Sequence, residues 1–114
     1  ERAAEILTKE ALREALENIE FREPQIALIN NVDVAVEVDS DRIRDALFRQ
    51  AFGAVRWVEC IQALKARALS HIVECGPGKV LAGMVGRIDT GLSGLAMFDP
   101  STVQQVQQVL AGDK

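Results

Sequence analysis

Apolar residues recur along this chain with a helical period in some segments and as short continuous runs in others. Leu12, Leu16 and Ile19 follow the i, i+4, i+7 spacing of an amphipathic helix. The same criterion puts the apolar residues of four further segments on one helix face. The helices predicted in this way cover residues 1–20, 41–52, 55–68, 79–88 and a last segment that begins at 99–101.

Short apolar runs lie between these helices and are bounded by turn residues. Residues 25–30 form such a run, which is typical of a strand buried on both faces of a parallel sheet. Residues 70–75 and 95–98 have the same character, and alternating valines in 34–38 predict a short edge strand. Strands that alternate with helices indicate parallel pairing. The predicted fold class is α/β, a three-layer arrangement of a short, mainly parallel sheet with flanking helices. So narrow a sheet suggests that something else completes it.

The length and composition limit the possible partners. Residues 1–114 suffice for a single α/β segment, and 48% hydrophobic residues provide the material for a core. A net charge of −4 makes nucleic acid an unexpected partner, and no apolar run is long enough to span a membrane. Cys60 and Cys75 are too few for a disulfide scaffold or a zinc ribbon. We therefore expect reduced thiols in apolar surroundings, a cytoplasmic location, and no cofactor or metal.

The glycine-rich turn Gly76-Pro77-Gly78, between a predicted strand and a predicted helix, is the strongest local motif. A helix N-terminus favours negative charge, so an anion-binding module is one interpretation. The turn lacks the glycine spacing of a dinucleotide site and that of a phosphate-binding loop. A tight connection in which glycine permits the backbone angles is the favoured interpretation.

His71 is the single histidine of the sequence. Neighbouring residues in a strand point to opposite faces, so Ser70 and His71 are not expected to form a catalytic pair. Cys75 precedes a helix start, a position that lowers a thiol pKa. No second histidine is present to activate this thiol, and a small buried residue is the preferred interpretation of Cys75.

Gln50 ends the second predicted helix. Its backbone carbonyl is among the last four of the helix, which have no intrahelical partner, and is therefore available to another donor. The middle helices are locally basic. A solvated face with ion pairs is the default interpretation, and docking of an acidic protein is the alternative. The residues concerned are Arg42, Arg44, Arg49, Arg56, Lys65 and Arg67.

Four ordered motifs together resemble the C-terminal part of bacterial malonyl-CoA:acyl carrier protein transacylases, over about residues 12–110. They are Ile-Asn-Asn-Val-Asp-Val at 29–34, the segment 43–50, Val-Arg-Trp at 55–57 and Glu-Cys-Gly-Pro-Gly-Lys-Val-Leu at 74–81. The resemblance implies an α/β-hydrolase-like subdomain in which this chain follows a ferredoxin-like insertion. It also implies ping-pong acyl transfer for fatty acid biosynthesis. A serine in a G-H-S-x-G elbow, with a histidine as base, takes malonyl from coenzyme A and passes it to the phosphopantetheine thiol of acyl carrier protein.

The resemblance assigns one site residue to this chain. Gln50 matches the position whose backbone carbonyl orients the catalytic histidine in that family. No G-x-S-x-G occurs, and no histidine lies near residue 1, so we expect the chain alone to be an inactive portion of an acyltransferase. The implied partners are acyl carrier protein and malonyl-CoA for the complete enzyme, and the N-terminal part or a second copy for this chain. The alternative function is that of an excised or engineered α/β fragment that folds or self-associates without activity. Two departures favour it: residues 1–11 are uninterrupted helix formers, and Ala68 stands where the family favours glycine.

Overall fold

The structure is a computed structural model that describes residues 2–112, with side chains described from residue 8 onward. The chain divides into two compact units, Glu1–Cys60 and Ile61–Lys114. The elements in chain order are α1 (Arg2–Glu17), α2 (Ser40–Gln50), α3 (Trp57–Ala66), β1 (His71–Cys75), α4 (Val80–Ile88), β2 (Ser93–Met97) and α5 (Pro100–Gly112).

In the first unit, α1 packs against α2. The side chains of Leu16, Ile43 and Ala46 are buried there, and the burial of Leu16 agrees with its place on the predicted apolar stripe of the first helix. The Arg44 guanidinium donates to the carbonyls of Leu16 and Ile19, at 3.0 Å and 3.1 Å. The Leu16 carbonyl also accepts the Ile19 N–H at 3.3 Å, and Ile19 lies just beyond the end of α1, so Arg44 ties the C-terminal end of α1 to α2.

The segment between α1 and α2 differs from the prediction. The strands predicted at 25–30 and 34–38 do not form, and a single antiparallel bridge joins Ile29 to Val36. Val34 has a positive φ of 55°, which interrupts the extended conformation that its alternating valines suggest. An apolar run becomes a strand only where a neighbouring strand takes its backbone hydrogen bonds, and the described residues of this unit provide only the one bridge.

The second unit is a β-α-β arrangement followed by α5. β1 and β2 pair in parallel, from His71 opposite Ser93 to Cys75 opposite Met97. α4 packs on both strands and buries Val85, and α5 packs on β2. The predicted strands at 70–75 and 95–98 are confirmed within two residues of their ends. The α/β class, the parallel pairing and the flanking helices are therefore confirmed, although the sheet of the described residues has two strands instead of three.

All five predicted helices form, with bounds that differ from the predicted ones by a few residues, and the fourth ends at Ile88 as predicted. The first was predicted to reach residue 20 but ends at Glu17, and its predicted start at Glu1 lies outside the described residues. The third was predicted to reach residue 68 but ends at Ala66, since Ala68 has a φ of 61°, a left-handed conformation that cannot continue a helix. None of the helices in the described residues has the length and hydropathy that crossing a membrane requires.

Candidate functional site

The backbone carbonyl of Gln50, which is predicted to orient a histidine, lies at the C-terminal end of α2. The Ala51 N–H donates to the Phe48 carbonyl at 3.3 Å, and the N–H groups of Phe52 and Gly53 both donate to the Arg49 carbonyl, at 3.2 Å and 2.8 Å. Among residues 2–112, no backbone N–H donates to the Gln50 carbonyl. In the described residues, the Gln50 carbonyl therefore has no backbone donor, whereas the neighbouring Arg49 carbonyl accepts two N–H groups.

The side chain of Arg49 binds two carboxylates at this end of α2. Its two Nη atoms donate to the two carboxylate oxygens of Asp33 at 2.8 Å and 2.7 Å, and its Nε donates to Asp45 Oδ2 at 2.8 Å. The hydrogen bonds from Arg49 hold the pKa of the Asp33 carboxyl below its ordinary value of 3.8. The hydrogen bonds to Asp33 and Asp45 raise the pKa of Arg49 in turn. Both groups are therefore charged at neutral pH, and the bidentate geometry fixes their relative orientation.

Asn30 organises the loop that carries Asp33. Its side chain is buried, its Oδ1 accepts the Asp33 N–H at 2.7 Å, and its Nδ2 donates to the Ala35 carbonyl at 3.2 Å. The Asn30 carbonyl also accepts from the Cys60 thiol at 3.8 Å. The turn chemistry of Asn30-Asn31 is visible in the sequence. The 16-residue separation of Asp33 and Arg49 follows no local pattern, so sequence reasoning did not find this ion pair.

The glycine-rich turn connects β1 to α4, and a carboxylate of the chain itself binds the start of α4. Gly76 has a φ of 150°, which side-chain-bearing residues rarely adopt. The Glu74 carboxylate accepts the Ala82 N–H in the first turn of α4 at 2.8 Å. An N–H group that an external anion would need is therefore already bound to a carboxylate of this chain. This geometry favours the structural interpretation of the turn over the anion-binding module.

The expectation that the side chains of Ser70 and His71 point to opposite faces is wrong. The Ser70 Oγ lies 2.8 Å from His71 Nδ1. Strand alternation does not separate the two side chains, because β1 begins at His71 and Ser70 precedes it. The serine is exposed, and the pair lies at the start of β1, away from the glycine-rich turn at the other end of that strand.

The two cysteines differ in their surroundings. Both are free thiols. Cys60 is buried as predicted, and burial raises its thiol pKa, which makes it a poor nucleophile. Cys75 is exposed, so the prediction of an apolar environment is wrong for that residue. It lies at the last position of β1, where the chain leaves the sheet for the turn.

The basic residues of the middle helices are largely paired within the chain. Arg44 and Arg49 bind carboxylates at 2.7 Å, and Arg56 pairs with Glu59 one turn further along. The more distant pairs, at 3.9 Å, are Arg42 with Glu37 and Lys65 with Asp89. These partners support the interpretation of a solvated face with ion pairs over an acidic docking surface. The described side chains contain no group of three metal-ligating residues.

Comparisons with known proteins give one consistent answer. The malonyl CoA-acyl carrier protein transacylase of Escherichia coli K12 is 41% identical over 88 residues, which are 77% of this chain and 28% of that protein. The crystal structure of an acyl-carrier-protein S-malonyltransferase of Burkholderia pseudomallei is 47% identical, with a TM-score of 0.83 over 88% of this chain and 33% of that one. No family model matches. The chain thus spans about a third or less of the length of these proteins.

One further solved structure contains a partner. It is described as a type II polyketide synthase acyl-carrier protein in complex with its malonyl-transacylase, and its transacylase-like chain is 39% identical to this one. The TM-score is 0.78 over 82% of this chain and 30% of that one.

Proposed function

We propose that this chain, which is homologous to the C-terminal part of malonyl-CoA:acyl carrier protein transacylases, is the non-nucleophilic portion of such an enzyme. The complete enzyme transfers malonyl from coenzyme A to the phosphopantetheine thiol of acyl carrier protein. In this proposal the chain contributes the backbone carbonyl of Gln50, which accepts a hydrogen bond from the catalytic histidine and fixes its tautomer. The serine and the histidine belong to the part of the relatives that this chain does not match.

The observation that carries this proposal is the open carbonyl of Gln50. A histidine that acts as a base through one ring nitrogen is oriented by an acceptor at the other nitrogen, as the aspartate of a Ser-His-Asp triad orients its histidine. A backbone carbonyl fills that role only if no N–H of its own helix occupies it. The end of α2 meets this condition because Phe52 and Gly53 donate to Arg49 instead.

The composition of the chain supports the proposal that the reacting serine and histidine lie in another part of the enzyme. His71 is its single histidine, and no G-x-S-x-G elbow occurs. Ser70, which contacts His71, lies on no strand-to-helix elbow that would supply oxyanion-stabilising N–H groups. A serine–histidine acyl transfer therefore needs both reacting groups from elsewhere.

Exposed apolar side chains support a covering partner. Ile26 is 84% exposed in the first unit and Val80 is 72% exposed in the second. Val80, Leu81 and Met84 are all exposed within about one turn of α4, and an apolar cluster of this kind marks an interaction surface. The partner in this proposal is the two thirds of the relatives' length that the chain does not match. We further propose that the assembled enzyme is cytoplasmic and that residues 1–114 act in it as one segment.

A chimera tests the proposal. The matched 88-residue segment of the E. coli relative is replaced by the corresponding residues of this chain, and malonyl transfer from malonyl-CoA to acyl carrier protein is measured. We expect the chimera to be active and the 114-residue chain alone to show no malonyl adduct in mass spectrometry. The control is the chimera whose elbow serine is changed to alanine, which should be inactive. A stable adduct on the isolated chain would contradict the assignment of roles.

The second candidate function is self-association without catalysis. The sheet of the described residues has only two strands, so both strands have an unpaired edge. Unpaired edges and exposed apolar residues promote association of identical chains. Size-exclusion chromatography over a concentration series tests this candidate. A dimer that persists at low concentration, together with an inactive chimera, favours it, whereas a monomer at all concentrations rules it out.

A further inference from the structure

The end of α2 is tied to the loop before it by one residue that acts in two ways. The guanidinium of Arg49 binds both oxygens of Asp33, and the carbonyl of Arg49 accepts the N–H groups of Phe52 and Gly53. Arg49, the residue just before Gln50, is therefore held through both its side chain and its main chain. The direction of the Gln50 carbonyl depends on both.

Gly53 is required for the turn that leaves the carbonyl open. A Cβ at this position would lie 2.9 Å from the Arg49 carbonyl oxygen and 3.0 Å from Val32 Cγ2. The first of these atoms is backbone and cannot move aside without opening the 2.8 Å hydrogen bond from Gly53. The chain thus approaches α2 and the Asp33 loop more closely at Gly53 than a side chain permits.

The Asp33 loop is itself held in place. Asn30 binds the Asp33 N–H, and the carbonyl of Asn31 accepts the Arg56 N–H at 3.0 Å. The carboxylate that receives Arg49 therefore stands on a fixed backbone and can act as an anchor. An ion pair between two mobile side chains could not set a helix-end geometry, whereas this pair has a rigid support on one side and a helix on the other.

We infer that Asp33 and Gly53 are positioning residues that aim the Gln50 carbonyl through Arg49. The inference rests on the proposed function of Gln50 and adds the residues through which the protein controls it. The Asp33 and Arg49 side chains are 36% and 40% exposed, and ion pairs exposed to this degree contribute little to stability. The bidentate geometry therefore serves orientation more than folding.

Hydrogen exchange on the 114-residue chain tests the coupling without any activity. Asp33→Asn keeps the shape of the side chain and removes its charge. We expect the Gly53 amide to exchange roughly tenfold faster in this variant and the carbonyl carbon of Gln50 to change its NMR chemical shift. The Gly83 amide, which donates to the Lys79 carbonyl in the other unit, should be unaffected.

Matched variants separate positioning from a general loss of charge. Asp41→Asn removes a carboxylate on α2 itself, which pairs with a different arginine, Arg44, and should leave Gly53 exchange unchanged. Asp33→Glu keeps the charge and should restore most of the protection. Equal exchange at Gly53 in Asp33→Asn and Asp41→Asn would overturn the inference.

The chimera gives a second readout that a purely structural role would not change. Asp33→Asn should lower kcat by about tenfold with an unchanged KM for malonyl-CoA, because the histidine is misoriented but the substrate contacts remain. Loss of the carbonyl acceptor also destabilises the imidazolium, so the acidic limb of the kcat profile should move to lower pH. An inactive parent chimera counts against the proposed function. An active parent chimera with an unshifted variant counts against the positioning role alone.

Discussion

In the first unit, side chains hold irregular backbone in place, whereas in the second unit the backbone pairs with itself. The side chain of Asn30 binds backbone groups of the loop before α2, and the side chains of Arg49 and Asp33 bind each other. β1 and β2 pair along five residues each, and α4 lies against both. The first arrangement leaves a carbonyl open for chemistry. The second pairs its two strands along one edge each and carries no carbonyl assigned to the reaction, so we assign it a supporting role.

Gly94 gives the largest expected effect and tests the close packing of the second unit. An ideal Cβ at this position would lie 2.2 Å from the Ala82 carbonyl oxygen, a backbone atom of α4. Gly94→Ala should therefore destabilise the chain by about 3 kcal/mol, measured by urea unfolding. The control is Gly86→Ala in α4, where no heavy atom lies within 4 Å of the added Cβ. This change should raise the free energy of unfolding by roughly 0.5–1 kcal/mol. Similar effects of the two changes would refute the close approach.

Asn30→Ala tests the side-chain support of the first unit. The variant removes the acceptor of the Asp33 N–H and the donor to the Ala35 carbonyl from a buried site, at an expected cost of about 2 kcal/mol. Asn18→Ala is the matched control, because its amide donates to the Glu14 carbonyl on the exposed surface. A change within about 0.5 kcal/mol is expected for it in the same unfolding measurement. If both variants unfold alike, the loop does not depend on Asn30.

Ala68→Gly is expected to stabilise the second unit. Ala68 has a φ of 61° just after α3, a conformation in which Cβ is strained and glycine is not. Replacement should raise the free energy of unfolding by about 1 kcal/mol in thermal or urea unfolding. Ala63→Gly, in the interior of α3, should lower it by about 1 kcal/mol. A loss of stability in both variants would show that Ala68 is unstrained.

Acid titration compares one carboxylate from each unit. Hydrogen bonds from Arg49 lower the pKa of Asp33, and hydrogen bonds from the Thr102 backbone and side chain and from the Ser101 backbone lower the pKa of Asp99, both from an ordinary value of 3.8. A lowered folded-state pKa contributes stability above pH 3.8, which is lost as the pH falls through the folded-state value.

Salt should separate the two carboxylates. Asp33 relies on a charged partner and Asp99 on neutral donors, namely backbone N–H groups and the Thr102 hydroxyl, so added salt should raise the pKa of Asp33 toward its ordinary value more than that of Asp99. NMR titration of the side-chain carboxyl carbons at low and high salt measures both. An equal salt response of the two groups would contradict the different causes assigned to them.

The sequence by itself determined the α/β class, all five helices, the strands at β1 and β2 and the glycine-rich turn between β1 and α4. These features follow from local period and turn chemistry, which neighbouring residues specify. Sequence reasoning also predicted the unpaired carbonyl of Gln50, because a helix end always leaves carbonyls over.

Only the tertiary structure decided the rest. The run at 25–30 has the composition of a strand but lacks a neighbour to pair with, so it stays irregular. The pairing of Asp33 with Arg49, the closeness of Gly53 to Val32 and the contact of Glu74 with α4 join residues by the path of the chain in space. No period along the sequence encodes that path.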